Sequence, residues 1–383
     1  SLYISFRMKT VIVVNSAWAA YNFRLNLAFS LKNAGYQVVF LIPFDTKYSN
    51  KLQENFQCYD LYLNAKGLSP FQDIKTLISL IRFCKIIGPD IICLFSIKPN
   101  IYGSIAGKVL GIPSIANITG LGTVFIKKTL LTYIAKILYK FALSGSYFVF
   151  FQNSNDQLFF INNKLINKSK SKLLPGSGVD LKRFKPSSFN RINEKFIFLL
   201  VSRLLEDKGI LEYIEAIRHI KKNFPELLIE FQILGEIDAE NRTTIKKNQV
   251  DKWVNENIIT YLGVSDEVQN VIAKCDCIVL PSYREGMPRS ILEAFAMEKP
   301  AIVSNAPGCN DIVDDEINGF ICKVRSSSDL ADKMLNMYRL PNKTRKQMGI
   351  NGRKKVEKFY NEKIVISEYI KSINCITRNE EDI

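Results

Sequence analysis

The sequence predicts an α/β protein built from two domains, each with a parallel sheet covered by helices. Three observations predict this fold class. The chain has 383 residues, more than one hydrophobic core usually serves. Short apolar runs rich in β-branched residues alternate with helical patterns in both halves, an order typical of parallel sheets. A segment rich in glycine and proline, residues 172–186, interrupts the alternation and indicates a boundary.

The first half contains the longer alternation. Its most clearly periodic helix spans residues 70–87 and places five apolar side chains on one face: Phe71, Ile74, Leu77, Ile78 and Ile81. The predicted strands cover residues 10–15, 37–42, 90–95, 113–118 and 147–151, and the other predicted helices 23–34, 103–110 and 130–143.

The alternation restarts after the turn-rich segment. The second half has predicted strands at residues 195–202, 227–234, 276–281 and 301–304, with helices at 209–223, 265–274, 289–297, 343–359 and 362–373.

These patterns give a domain assignment. We predict an N-terminal domain over residues 8–185 and a C-terminal domain over residues 190–360. We expect a last helix, residues 361–377, to pack back toward the N-terminal domain. Ligands bind at the carboxyl ends of parallel strands, so two such sheets would face each other across a ligand cleft.

Composition excludes several kinds of site. The chain has one histidine, His219, and eight cysteines without zinc-ligand spacing. Histidine-based zinc sites and Ser-His-Asp triads are therefore not expected. No apolar run approaches the ~20 residues of a membrane-spanning helix. We expect a cytoplasmic protein with reduced thiols and no metal or organic cofactor.

Charge divides the chain unevenly. Residues 1–190 hold 23 Lys and Arg against 7 Asp and Glu, whereas residues 191–383 hold 29 and 30. The formal net charge of +15 therefore comes from the first half. A basic domain favours an anionic partner, which at this stage is nucleic acid, anionic lipid headgroups or a phosphorylated substrate.

The densest chemical signal lies in residues 276–319. A strand ends at Pro281, and a short loop leads into a helix with Pro288 near its first turn, where proline is tolerated. The first amides of a helix have no partner inside it, so this turn suits a diphosphate. Glu285 in the loop is placed to accept from sugar hydroxyls, and Glu293 inside the helix from a ribose diol.

A second signal, residues 201–209 (VSRLLEDKG), follows the first strand of the second half. Arg203 and Lys208 would lie where that strand meets its helix, at the same edge of the sheet. Two cations at this edge can neutralise a diphosphate as it departs.

With these motifs, the sequence resembles the family 4 retaining glycosyltransferases of the GT-B fold, two Rossmann-like domains facing across a cleft. The resemblance covers residues 8 to about 373 and is strongest over residues 196–325. The segment at residues 173–183 (LPGSGVDLKRF) resembles the interdomain linker of the family. The residues that carry it in the second half are Ser202, Arg203, Leu204, Lys208, Gly209, Leu234, Gly235, Leu280, Pro281, Ser282, Glu285 and Glu293.

The resemblance implies roles on the donor side. Arg203, Lys208 and Glu285 would be catalytic: the two cations stabilise the donor diphosphate and Glu285 contacts the transferred sugar. Glu293 would hold the nucleotide ribose. The remaining donor-binding candidates are Gly235, Gly286, Met287, Pro288, Arg289 and Ser290. Retention of the anomeric configuration without a metal ion is also implied.

The acceptor side departs from the family pattern. Many members have a Gly-Gly loop after the first strand and a histidine near the acceptor, and this chain has neither. Its pattern is similar to the subgroup that builds bacterial surface polysaccharides and lipid-linked glycans. The acceptor-side candidates follow predicted strands or open helices: Asn15, Ser16, Tyr21, Phe23, Arg24, Lys98, Thr119 and Gly120.

A membrane partner would explain the basic first half. Residues 126–143 (IKKTLLTYIAKILYKFAL) combine lysines with apolar residues at helical spacing, as in helices that lie on anionic membranes. We therefore expect a peripheral protein at the inner face of the cytoplasmic membrane. Its expected reaction moves a hexose-type sugar, such as an N-acetylhexosamine or a derivative, from a UDP-sugar to a lipid-diphosphate-linked saccharide.

Two alternatives stay open at the level of sequence. The first is a nucleotide-sugar 2-epimerase or hydrolase of the GT-B type, which would turn over its donor without an acceptor. The second is a nucleic-acid-binding protein that uses the basic half. The basic residues are not interleaved with aromatic residues in a stacking pattern, so we expect no nucleic-acid partner.

Overall fold

The computed structural model describes residues 8–64, 69–121, 130–187, 195–237, 241 and 243–381. The chain divides into two compact units. The first comprises Ser1–Ser177 and Val365–Ile383, and the second Gly178–Ile364. Each unit has its own sheet, and every strand pairing within the two sheets is parallel.

The first unit is built on a seven-stranded sheet in the order β3-β2-β1-β4-β5-β6-β7. Its strands are β1 (Met8–Val13), β2 (Tyr36–Ile42), β3 (Gln57–Asp60), β4 (Ile91–Phe95), β5 (Ser114–Ile118), β6 (Phe148–Phe151) and β7 (Ser171–Leu173). Its helices are α1 (Ala17–Asn33), α2 (Tyr48–Gln53), α3 (Pro70–Ile87), α4 (Ser104–Leu110), α5 (Leu130–Leu143) and α6 (Ser154–Asn162).

Apolar residues alternate between the two faces of this sheet, and each face has its own core. One face of β1 packs through Ile12 against α1, together with the last helix of the chain. The other packs through Val11 and Val13 against α3. Further along the same face, β5 and β6 pack against α4, α5 and α6. The sheet is therefore covered on both sides, as parallel sheets usually are.

The second unit has a six-stranded sheet in the order β10-β9-β8-β11-β12-β13. Its strands are β8 (Phe196–Val201), β9 (Ile229–Leu234), β10 (Thr260–Tyr261), β11 (Cys277–Leu280), β12 (Ala301–Ser304) and β13 (Gly319–Cys322). Its helices are α7 (Ile210–Asn223), α8 (Lys247–Asn255), α9 (Val268–Lys274), α10 (Arg289–Ala296), α11 (Ser327–Arg339) and α12 (Asn342–Phe359).

The chain passes between the units twice. The predicted boundary at residue 185 differs from the observed division, because residues 178–185 belong to the second unit. Gly178 lies against the start of the last helix, α13 (Glu362–Glu381). Val179 is bonded there: its amide donates to the Tyr360 carbonyl at 2.9 Å, and its carbonyl accepts from the Glu362 amide at 3.2 Å. From Val365 onward α13 belongs to the first unit.

Helix α3 faces the sheet differently from its apolar pattern. Its fully buried positions include Leu80 and Cys84. Three residues of the apolar face found in the sequence point to solvent instead: Phe71, Ile74 and Ile78 are exposed. The helix thus presents an apolar face to solvent as well as to the sheet.

Candidate active site

The predicted donor-side residues gather at one edge of the second unit. β8 and β11 are neighbours at the centre of the sheet, and the chain leaves β8 for β9 on one side and returns to β11 on the other. Ligands of open α/β sheets bind at such a reversal, outside the carboxyl ends of the strands. The loops at this edge are residues 202–209 after β8 and residues 281–288 after β11.

Backbone bonds hold these two loops together. The Asp207 carbonyl accepts from the Tyr283 amide at 2.9 Å and from the Ser282 hydroxyl at 3.1 Å. Gly209 has a φ of +72°, and a Cβ built there would lie 2.1 Å from the Pro281 carbonyl oxygen. Only glycine permits both the left-handed backbone and this close approach.

Lys208 and Glu285 form an ion pair across the two loops. The Lys208 Nζ donates to Glu285 Oε1 at 2.6 Å, and each side chain is 15% exposed. A partly desolvated, short, charge-assisted bond fixes both side chains more firmly than a surface pair would. The structure therefore brings together two residues whose predicted roles were separate.

Arg203 and Gly235 complete the edge on the β8 side. Arg203 is exposed and lies two residues after the end of β8. A Cβ at Gly235, which follows β9, would lie 1.7 Å from the Ser202 carbonyl oxygen. Glycine at this position therefore lets the loops after β8 and β9 approach each other closely.

Helix α10 supplies the second predicted carboxylate. It begins at Arg289 after Pro288, whose φ of −71° suits a helix start. Glu293 is buried, and its Oε1 accepts from Arg289 Nε at 2.8 Å. Burial raises the pKa of the Glu293 carboxyl, while Arg289 and then Arg183 oppose the rise. Glu293 is thus a buried acceptor, and the bond from Arg289, one helical turn earlier, holds its side chain in place.

The loop after β12 supports Glu285 and was not predicted as part of the site. The Glu285 amide donates to the Pro307 carbonyl at 3.0 Å. Gly308 has a φ of +80°, and a Cβ there would lie 2.3 Å from the Glu285 carbonyl oxygen and 2.7 Å from that of Gly286. The signal in the sequence was the Pro-Gly pair shortly after the strand at residues 301–304.

A second set of contacts supports Tyr283, which lies two residues before Glu285. No sequence pattern predicted these contacts. The Tyr283 hydroxyl donates to Glu212 Oε1 at 2.6 Å, and the Arg325 guanidinium lies 4.4 Å from the Tyr283 ring centroid. Burial, and then the bond to Glu212, raise the pKa of Tyr283, so the phenol stays neutral and keeps donating. Helix α7 and the segment before α11 thus anchor the Glu285 loop from behind.

Gly308→Ala is expected to destabilise the protein by ~1–3 kcal/mol and to lower kcat/KM. The added methyl group meets backbone oxygens, which forces the loop that carries Glu285 to move. Thermal unfolding and steady-state kinetics measure the two effects. Gly263→Ala is the matched control, because Gly263 has a φ of +69° with nothing within 4 Å of its Cβ position. Equal losses in both variants would show that backbone strain, rather than support of Glu285, explains the result.

In the first unit, two groups of acceptor-side candidates share the strand-end edge. β1, β4 and β5 are adjacent, and Asn15 and Ser16 follow β1 while Thr119 and Gly120 follow β5. Ser16 caps α1 by accepting from the Ala19 amide at 3.2 Å. These loops therefore lie at the edge of the sheet that contains the reversal between β1 and β4.

Arg24 lies at the same edge and is buried. Its Nη1 donates to the Ser177 hydroxyl at 3.0 Å, and its guanidinium lies 3.9 Å from the ring centroid of Phe95, the last residue of β4. The structure therefore gives Arg24 a packing role within the first unit.

The remaining candidates have partners of their own. Lys98 forms an ion pair with Asp73 of α3 at 2.7 Å. Tyr21 lies against Tyr48 of α2, with ring centroids 5.6 Å apart, and Phe23 lies edge-on to Trp18 at 5.0 Å. Tyr21 thus pairs with an aromatic residue of α2, and Phe23 with one of its own helix, α1.

Family models match both halves of the chain. The model described as glycosyl transferases group 1 matches residues 182–355, and the model described as glycosyl transferase 4-like matches residues 11–153. The chain belongs to the glycosyltransferases. The match confirms the predicted family, and it favours the transferase over the epimerase and nucleic-acid-binding alternatives.

Curated relatives of this glycosyltransferase include two bacterial enzymes. The chain is 27% identical to the N,N'-diacetylbacillosaminyl-diphospho-undecaprenol alpha-1,3-N-acetylgalactosaminyltransferase of Campylobacter jejuni, over 97% of this chain and 100% of the relative. It is 29% identical to the UDP-Gal:alpha-D-GlcNAc-diphosphoundecaprenol alpha-1,3-galactosyltransferase of Escherichia coli, over 80% of this chain and 84% of the relative.

Solved structures confirm the GT-B fold of the glycosyltransferase. Sucrose-phosphate synthase from Thermosynechococcus elongatus superposes with a TM-score of 0.80 and 16% identity, covering 97% of this chain and 100% of that one. Anabaena HepE, solved in complex with UDP and glucose, gives a TM-score of 0.78 and 18% identity, covering 96% and 100%. At these identities the likeness establishes the architecture alone.

Proposed function

We propose that this glycosyltransferase moves a hexose-type sugar from a UDP-sugar to a lipid-diphosphate-linked saccharide, with retention of configuration and without a metal ion. An N-acetylhexosamine or a derivative is the proposed sugar. The observation that carries the proposal is the Lys208–Glu285 pair beside the start of α10, with buried Glu293 in the same helix. The names of the two bacterial relatives support it, since both include a diphosphate-linked undecaprenol and one names UDP-Gal as donor.

The donor diphosphate is proposed to lie at the carboxyl ends of β8 and β11. Lys208 and Arg203 supply positive charge there, and the amides of residues 286–290 at the start of α10 supply donors. Glu293 accepts from the hydroxyls of the ribose. Glu285 accepts from hydroxyls of the sugar. The positive charge of the Lys208 ammonium also attracts the phosphates.

Transfer then depends on the departure of the diphosphate. The bond between the sugar C1 and the diphosphate oxygen breaks, and the bond from C1 to the acceptor oxygen forms on the same face. The acceptor proton passes to an oxygen of the departing phosphate. Lys208, Arg203 and the helix amides stabilise the negative charge that develops, which is the contribution expected to dominate catalysis. No side chain is assigned as a nucleophile.

Two cations at the leaving group explain why no metal ion is proposed. A divalent ion in a transferase neutralises the departing diphosphate, and fixed guanidinium and ammonium groups can supply the same charge. The rate is therefore expected to be unchanged by EDTA.

A panel of nucleotide sugars tests the donor proposal. One UDP-sugar is expected to raise the melting temperature of the purified protein, with and without EDTA. Product NMR is expected to show the same anomeric configuration as the donor. A rise in melting temperature with GDP- or ADP-sugars only would show that the donor nucleotide is not UDP. An inverted product, or a shift that EDTA abolishes, would contradict the proposed mechanism.

The acceptor proposal places the reaction at a membrane surface. No helix in the described parts of the chain is both long and apolar enough to cross a bilayer. Part of the segment proposed from sequence to contact the membrane, residues 126–129, lies outside the described residues. The described part, α5, exposes Tyr133, Ile134, Ile137 and Phe141.

A further inference from the structure

Helix α3 carries an apolar stripe that the fold leaves uncovered. Phe71 is 80% exposed, Ile74 54%, Ile78 59% and Ile86 60%. The first three recur at spacings of three and four, and Ile86 lies two turns beyond Ile78, so all four lie on one side of the helix. Solvent-facing sides of helices are normally polar, and an uncovered apolar stripe of this length indicates a contact surface.

The same side of α3 also carries positive charge. Lys75, Arg82 and Lys85 are exposed between the apolar residues. Asp73, the one acidic residue of α3, is bound to Lys98 and is 19% exposed. The exposed side of α3 therefore combines aliphatic groups with positive charge and shows almost no negative charge.

Helices α4 and α5 continue this surface. α3 packs beside α4, α4 packs beside α5, and all three cover the same face of the first sheet. Neither α4 nor α5 contains an acidic residue. The exposed residues among those whose burial is described are Lys108 and Val109 on α4 and Tyr133, Ile134, Ile137, Lys140 and Phe141 on α5.

We propose that the exposed sides of α3, α4 and α5 form one docking surface for an anionic lipid bilayer, with α3 as a principal contact. The inference rests on the proposed function, because a lipid-linked acceptor requires the enzyme to reach a membrane. Aliphatic and aromatic side chains enter the boundary between headgroups and acyl chains, and long basic side chains keep their charges at the headgroups. The attraction to anionic lipid adds to the apolar burial and weakens with salt.

Charge and side-chain type favour a bilayer over other occupants. Two copies of this surface would bring like charges together, which disfavours a symmetric dimer through it. Single-stranded nucleic acid is bound by aromatic platforms, whereas the α3 stripe has one aromatic residue and three isoleucines.

Vesicle flotation of the full chain tests the proposal. Wild-type protein is expected to float with phosphatidylglycerol-containing vesicles, more weakly with pure phosphatidylcholine vesicles, and less as salt rises. Ile74→Ser with Ile78→Ser is expected to weaken binding to both kinds of vesicle. Arg82→Gln with Lys85→Gln is expected to weaken binding to anionic vesicles by about tenfold or more.

Matched controls lie on the second unit. Ile317→Ser replaces an isoleucine that is 56% exposed, and Lys343→Gln with Lys346→Gln removes two exposed charges. Both controls are expected to bind vesicles like wild type. Equal binding by the α3 variants and the controls would overturn the proposal. So would a concentration-dependent dimer that the α3 variants abolish, or salt-sensitive binding to RNA in place of vesicles.

The test separates this surface from the proposed function. The α3 variants are expected to keep the donor-induced rise in melting temperature and to transfer sugar to a short-chain acceptor analogue in detergent. If the wild type binds vesicles but transfers no sugar, the proposed docking surface is supported and the proposed function is wrong. Transfer by wild type to acceptor in vesicles with no difference in the α3 variants would remove the surface and leave the function.

Discussion

Lys208→Ala is expected to lower kcat by about 10²- to 10³-fold with a smaller change in the KM for donor. The charge of Lys208 is fixed by Glu285 at 2.6 Å and is proposed to act on the diphosphate as it departs. Its loss therefore raises the energy of the transition state more than that of the bound donor. Steady-state kinetics with saturating acceptor measure the split.

Two further variants sharpen this result. Lys208→Arg keeps the charge and is expected to retain more activity than alanine. Glu285→Gln is expected to be impaired as well, and the Lys208→Ala, Glu285→Gln double variant is expected to lose less than the combined single losses, because the two residues form one pair. Lys252→Ala, at an exposed surface pair with Glu256, serves as the control. A wild-type kcat in Lys208→Ala would remove Lys208 from the catalytic group.

Glu293→Ala is expected to weaken donor binding by about 10- to 100-fold, because a buried carboxylate that is proposed to accept from the ribose is lost. Titration of the UDP-sugar against wild type and variant measures the change in Kd. The kcat at saturating donor is expected to fall less than in Lys208→Ala. An unchanged Kd would show that the ribose lies elsewhere.

The pH dependence of donor affinity tests the same residue. Burial raises the pKa of Glu293, so in the folded protein the carboxyl takes up its proton at a higher pH than an exposed glutamate would. Affinity is expected to fall as pH is lowered through this raised pKa, because the ionised carboxylate is the stronger acceptor for the ribose hydroxyls that Glu293 is proposed to bind. Glu293→Gln is expected to flatten that dependence.

The contribution of Glu293 to the free energy of unfolding changes with pH in the opposite sense to donor affinity. A raised pKa in the folded state means that the contribution of the neutral carboxyl to stability is present below its unfolded pKa. That contribution is lost as pH rises through the folded pKa. Comparing the melting temperatures of wild type and Glu293→Gln across this range distinguishes the linkage from an effect on donor binding.

Strand and helix patterns predicted much of the fold. The buried parallel strands read as continuous apolar runs, so β1, β4 and β8 were evident. β3, β7, β10 and β13 were missed: β3, β7 and β10 have four, three and two residues and are only partly buried, so they leave no continuous apolar run, and β13 begins with a glycine. In α3, the exposed isoleucines match the same helical spacing as core residues, so periodicity alone could not tell the solvent side from the sheet side.

The sequence predicted the residues of the candidate site but not the contacts between them. Arg203, Lys208 and Glu285 were found because each lies at a strand-to-helix turn, and Glu293 because it lies in the helix that follows one of these turns. The ion pair between Lys208 and Glu285 joins loops from two strands that are adjacent only in the folded sheet. The bond from Tyr283 to Glu212 depends likewise on tertiary packing, for which neither residue leaves a local pattern.

Release of free nucleotide tests the central claim most directly. The assay uses the UDP-sugar identified by thermal shift, with and without a lipid-diphosphate saccharide, for wild type and Lys208→Ala. The account predicts that wild type releases nucleotide only when acceptor is present and that Lys208→Ala releases it far more slowly. Release at the same rate without acceptor, or at the wild-type rate in Lys208→Ala, would contradict the account.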